Sequence, residues 1–319
     1  MTVQAIGHRE RADVLKLLEA AGVYLAIVLL MLFNLAFTPH FATVTNLRLQ
    51  LVQVAPVAIV AVGMALVIAT EGIDLSVGST MALAAALIPL YIGYGAGPAI
   101  VIGLLAGVAV GLVNGGLVAF AGIQPIIATL GLLVAGRGVA LVFANGRLVE
   151  LFDPTLGALG NSAVLGVPIS VLVVFGVAVV AGIAMRRAAF GRRVLAIGGN
   201  RAAAALAGLP VKRTLLTVYA VSGCLAAVAG VLSTARQGAS DPSFVGLLIE
   251  LSAITAVVVG GTPLSGGRVR IVGTLMGALL MQLITATLIQ HNLPDSTARM
   301  VQAVIIVVAV YVQRGRSRA

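Results

Sequence analysis

The stretch Phe190 to Arg213, FGRRVLAIGGNRAAAALAGLPVKR, decides the architecture, because it interrupts two apolar runs long enough to cross a bilayer. Asn200 suits the N-cap of a helix through Arg201 to Ala207, where its side-chain oxygen can accept an orphan backbone N–H. Gly208 can close that helix in a left-handed conformation, and Pro210 prevents it from resuming. The reading is a short capped helix, presented on the cytoplasmic side of a membrane protein to touch another protein. A solvated basic loop that merely fixes orientation is the plain alternative.

Composition supports the membrane setting. Hydrophobic residues make up 60% of the chain, charged residues 9%, and the mean hydropathy is +1.14. Soluble domains carry about 25% charged residues. There are 38 glycines and no tryptophan among the 319 residues, as suits helices whose backbones approach closely. Cys224, the lone cysteine, forms no intrachain disulfide and reads as packing filler. A net charge of +10 would fit nucleic acid, but the basic residues fall in short loops and aromatics are only 4%. Arg9, Arg11 and Lys16 precede the first apolar run, and no small-residue cleavage site follows it, so that run reads as a retained span.

Working outward, candidate spans lie near 20–38, 51–70, 76–94, 98–120, 125–144, 165–185, 213–234, 247–261, 270–290 and 299–313. The expected fold is an all-α integral membrane protein of about ten transmembrane helices with short loops. It forms one transmembrane domain over 1–319, with a cytoplasmic tail of about 1–19 and a cytoplasmic segment of about 186–213. Both termini then lie inside. Fifteen basic residues fall on that side, against Arg48, Arg147, Arg236 and Arg299 outside, as the positive-inside rule requires. The span 247–261 is short, begins at Glu250, and reads as broken or tilted. Pro98 and Pro125 sit where first helical positions would fall, and Asp153-Pro154 and Asp241-Pro242 look like N-cap plus N1 pairs.

Two further stretches could carry chemistry. TEGIDLSVGS, Thr70 to Ser79, joins two spans; its glycines permit a sharp reversal, and Asp74 or Ser76 can cap the next helix. Glu71 and Asp74 so near membrane depth must cap, pair or line water. GGTPLSGG, Gly260 to Gly267, repeats the pattern weakly, as internal repeats with broken helices do in transporters. Polar residues inside the spans are Asn114, Gln124, Thr129, Arg137, Asn145, Gln282 and Thr285. Arg137 must face protein or water, with Glu150, Asp153 and Glu250 as available partners, or be held by carbonyls. Asn114 suits either an interhelical bond or a cargo hydroxyl. The chain has no GxxxxGK[ST] loop, HExxH, paired cysteines or nucleophile elbow, so no catalytic or metal residues and no cofactor are assigned. Intramembrane carboxylates are nearly absent, which disfavours a proton-driven carrier and points to an energy source on another chain.

MALVIATEGIDLSVGSTMALAAA, GLVNGGLVAFAGIQPIIATLGLLVAGRGVALV, the 190–213 stretch and AVVVGGTPLSGG resemble the permease subunits of bacterial ATP-binding-cassette (ABC) importers for monosaccharides. That family takes in ribose, xylose, arabinose and galactofuranose permeases, and ATLGLLVAGRGVA looks closest to the galactofuranose branch. The resemblance implies an inner-membrane permease paired with a second permease chain, alike or different. It also implies ABC ATPase subunits that bind ATP, and a periplasmic sugar-binding protein. Nucleic acid has no place in it, and lipid surrounds it. On this likeness Gly191, Gly198, Asn200, Ala203, Ala204, Gly208 and Val211 would couple to the ATPase. Asp74, Ser76, Asn114, Gln124, Thr129, Arg137 and Glu250 would line the translocation pathway. Glu71 departs from the pattern, since many members carry a small residue there. A branched-chain amino acid permease, with Arg137 serving a carboxylate, is the nearest rival, and a secondary carrier the next.

Overall fold

The computed structural model describes residues 22–294 and scattered positions between 296 and 307. Helix α1 is Gly22–Phe37. It is followed by α2 (Val44–Ala69), α3 (Val77–Tyr91), α4 (Ala96–Ala119), α5 (Pro125–Phe143), α6 (Pro154–Asn161) and α7 (Ile169–Arg187). Then come α8 (Ala189–Gly199), α9 (Arg201–Leu206), α10 (Val211–Gln237), α11 (Ile249–Val259) and α12 (Ile271–Gln290).

Among the described residues, seven helices are long and apolar enough to cross a membrane, not ten, and α1 and α11 are shorter apolar helices. The expected span 299–313 lies largely outside the described residues, as do the tail 1–19 and the basic residues of both ends. At 1.5 Å per residue, α11 with 11 residues reaches only about 16 Å against a core of about 30 Å, whereas the 3-10 turn Ile92–Tyr94 extends α3 to 18 residues.

Packing explains the glycine content. Gly103, Gly107, Gly111 and Gly115 recur every fourth residue on α4, so they share one helix face. Gly107 lies against Gly223 and Ala227, Gly111 against Tyr219 and Ala220, and Gly115 against Leu216, so α4 meets α10 backbone to backbone. Between membrane helices lipid supplies no hydrophobic drive, and close contact of this kind takes its place. Helices α2, α3 and α10 form the buried centre, while α4, α5 and α7 turn most of their surface outward.

At one end of the bundle lie Arg186, Arg187, Arg192, Arg193, Arg201, Lys212, Arg213, Arg268 and Arg270, with α8 and α9. Arg48, Arg147 and Arg236 lie toward the other. There the two long loops are tied together by antiparallel strands β1 (Val149–Glu150) and β4 (Ala239–Ser240). A smaller hairpin joins β2 (Ala163–Val164) to β3 (Val167–Pro168). Asp153 caps α6 by accepting from Leu156 N–H at 2.8 Å, with Pro154 in the first turn, as expected. Asp241-Pro242 does not start a helix. Asp241 instead accepts from Ser243 N–H at 3.0 Å and opens a turn that leads inward.

Candidate functional site

Two places carry the features that the sequence singles out. The first is the point where α3 and α11 begin. Asp74 Oδ2 accepts from Ser222 Oγ at 2.8 Å, and Ser222 in turn lies against Gly63 of α2. Asp74 is therefore level with a residue six positions before the end of α2, about 9 Å back into the bundle. The chain leaves α2, turns, and re-enters before α3 starts. From the opposite end, residues 241–248 also dip inward, bringing Gly246 and Glu250 against Gly78 in the first turn of α3. The two half-helices thus meet N-terminus to N-terminus inside the bundle, and no side chain fits at Gly78, where a Cβ would collide with the Gly246 carbonyl.

That arrangement accounts for the carboxylates. Each helix N-terminus carries a partial positive charge, which favours an anion beside it. Asp74 lies just before α3, and Glu250 is the second residue of α11. Both are buried. Asp74 Oδ1 accepts from Ser76 N–H at 3.1 Å and Ser76 Oγ at 2.7 Å, fixing the turn before α3, whose first turn has no side-chain cap. Asn114 Nδ2 donates to Ser76 Oγ at 2.7 Å, and Thr129 Oγ1 donates to the Ile73 carbonyl at 3.1 Å. Asp74, Ser76, Asn114 and Thr129 are therefore brought together around one re-entrant turn. Arg137 Nη1 donates to the carbonyls of Pro242 at 2.6 Å and Val245 at 2.7 Å, so it staples the other turn. Of the partners expected for it, carbonyls take the hydrogen bonds, and Glu250 is near enough for its charge to act on Arg137. Gln124 stands apart, exposed at the N-cap position of α5. Ser222 is missed at the sequence level, because nothing marks one serine in an apolar run as the partner of a carboxylate 148 residues earlier.

The second place is the basic end. Asn200 caps α9 as expected, its Oδ1 accepting from Ala203 N–H at 2.9 Å, and Gly208 is left-handed at φ +75°. Ala204 packs inward, Ala203 is exposed, and Leu206 is 91% exposed. Val211 opens α10, and Gly191 in α8 lies against the Met185 backbone. Helix α8, which the sequence does not announce, ends at a three-way contact. Gly198 lies against the Ala69 carbonyl at the end of α2 and against the Gly267 amide, and Gly267 N–H donates to Ala69 O at 3.1 Å. Gly266 lies against Glu71 and the Gly198 carbonyl. The segment preceding α9 therefore touches both turns that the weak sequence repeat pairs. The repeat is loose: Glu71 is left-handed at φ +64°, whereas its counterpart Gly260 is right-handed at φ −67°.

Broken helices that meet inside a bundle of glycine-rich spans are the architecture of a membrane transport protein. The chain belongs to the family described as branched-chain amino acid transport system / permease component, whose model matches residues 46–310. It is 38% identical over 322 residues to the ribose import permease protein RbsC of Escherichia coli K12, covering 98% of each chain. It is 36% identical to the galactofuranose transporter permease protein YtfT of the same strain, covering 91% of this chain and 88% of that one. The L-arabinose ABC transporter permease protein AraH of Azospirillum brasilense is 35% identical over 95% of this chain and 89% of its own. Overall identity thus does not single out the galactofuranose branch. No solved structure matches the chain.

Proposed function

We propose that this chain is the membrane-spanning subunit of an ABC importer, moving a monosaccharide delivered by a periplasmic binding protein. ATP is bound and hydrolysed on separate ATPase chains, and a second permease chain completes the pore. Both termini and the 186–213 segment face the cytoplasm, in keeping with the gathering of basic residues at that end. The observation that carries the mechanism is the contact of Gly198 with Ala69 and Gly267. Helices α8 and α9 form the coupling element, and a push on α9 reaches both re-entrant turns through that contact. The turns cradle α3 and α11, whose meeting point around Asp74, Ser76, Asn114, Thr129 and Glu250 is the element with two states. Cargo contacts there need only be weak and polar, since high affinity resides in the binding protein.

The sugar assignment rests on the names of the relatives at 35–38% identity. The amino acid reading draws on the family description and on Arg137, but Arg137 Nη1 is committed to two carbonyls. A binding assay on the cognate periplasmic protein separates the two cargoes. The coupling role is tested with Ala203→Glu and Leu206→Glu together, both on the outward side of α9. Uptake and cargo-stimulated ATP hydrolysis should be lost while the chain stays in the membrane at its normal level. Normal transport by that variant would overturn the coupling role.

A further inference from the structure

We propose that an anionic phospholipid binds in a groove of about 940 Å³ between α1, α7 and the start of α12, at the basic end of the bundle. Arg186 and Arg187 on the last turn of α7, and Arg270 immediately before α12, stand at its mouth. None of the three has an ion-pair partner among the described residues. The first-turn residues of α12, Ile271 to Gly273, line the same mouth; Thr262 Oγ1 accepts from the Arg270 N–H at 3.0 Å, and no side chain caps the three that follow. Free N–H groups at a helix start, flanked by guanidinium groups, form a site for a phosphate.

The walls select a lipid over a soluble anion. Phe175, Val179 and Ile183 of α7 face Val272 and Leu275 of α12 across the groove, and Val23 of α1 closes one side. From Phe175 to Arg187 the α7 wall is about 18 Å long, close to the roughly 15 Å depth of one leaflet. Gly182 leaves a gap in that wall, since a Cβ there would meet nothing within 4 Å. Tyr24 lies at the rim, as tyrosines do where headgroups meet hydrocarbon. A charged mouth above an apolar trough of leaflet depth fits a molecule with an anionic headgroup and acyl chains. Gly260 and Gly273 form part of the lining, so the bound lipid rests on the α11–α12 connection.

The test uses the full-length chain purified in detergent and analysed by native mass spectrometry, with dioleoyl phosphatidylglycerol and dioleoyl phosphatidylcholine as probes. Phosphatidylglycerol should be retained preferentially. Arg186→Gln, Arg187→Gln and Arg270→Gln together should lower its affinity by about fivefold per arginine, roughly a hundredfold in all. Gly182→Phe fills the trough while leaving every arginine in place, and should abolish retention of the same lipid. Unchanged helical content in both variants shows that the fold survives, and millimolar glycerol phosphate should displace nothing. Equal retention of the two lipids, displacement by glycerol phosphate, or full retention by Gly182→Phe would each overturn the proposal. So would finding no lipid because a second copy, or the chain's own terminal residues, fills the groove.

Discussion

Replacing Gly198 with alanine adds one methyl group at the three-way contact, and its neighbour Gly199 supplies an internal control. A Cβ at position 198 would stand 2.7 Å from the Gly267 amide nitrogen and 2.8 Å from the Ala69 carbonyl carbon, and closer still to the oxygen. Neither turn can yield alone, because Gly267 N–H is bonded to Ala69 O at 3.1 Å. Overpacking against backbone costs about 1–3 kcal/mol, and weakening that bond about 1 more. The helix propensity of alanine over glycine returns up to about 1 kcal/mol, leaving a net loss of roughly 1–3 kcal/mol. At Gly199, the last residue of α8, an added methyl would meet nothing within 4 Å, so Gly199→Ala keeps only the propensity gain. At about 2–4 °C per kcal/mol, Gly198→Ala should lower Tm by roughly 2–12 °C and Gly199→Ala raise it by up to about 4 °C. The assay is thermal unfolding of the purified chain followed by a thiol-reactive fluorophore on Cys224, the lone cysteine, which is half-buried in α10. Shifts of the same sign and size at both positions would refute the claim that Gly198 joins the two turns.

Two further perturbations bear on the re-entrant turns. Ser222→Ala removes a hydrogen bond to the buried Asp74 carboxylate, worth about 1.5–3 kcal/mol, and should lower Tm measurably. Thr217→Ala, an exposed site on the same helix, should change it little, and equal effects at the two positions would argue against the Asp74–Ser222 bond. Glu71→Gly relieves a left-handed non-glycine residue that costs about 1–2 kcal/mol. It should therefore raise Tm by several degrees in the same assay, and a fall would show that the Glu71 side chain contributes contacts of its own.

What is legible in the sequence is what is local. The cap at Asn200, the stop at Gly208 and the Asp153-Pro154 start each depend on a few consecutive residues, and all three are realised. Helix α8 is hidden because Gly191, Gly198 and Gly199 argue against a helix, and the backbones packed against Gly191 and Gly198 appear only in the fold. The depth of α3 is hidden too. Residues 76–94 are apolar enough to span, and only the bond between Asp74 and Ser222 reveals that the helix starts partway in. Arg137 is recognisable as needing a partner, yet carbonyl positions have no sequence signature. Gln282 stands out only as a lone polar residue. Its bonds to Gln50 at 2.9 Å and Gln53 at 2.8 Å depend on how α12 lies along α2.

The Asp74–Ser222 bond has a consequence for how the protein is made. Ribosomes deliver the re-entrant turn 148 residues before the serine that completes its hydrogen bonding. Until α10 emerges, the turn holds a carboxylate and open backbone groups that hydrocarbon cannot solvate. Sequential release of each span into lipid would therefore leave one oxygen of that carboxylate without its folded-state partner. Holding the early helices in a wet setting until α10 arrives would spare the bundle that cost.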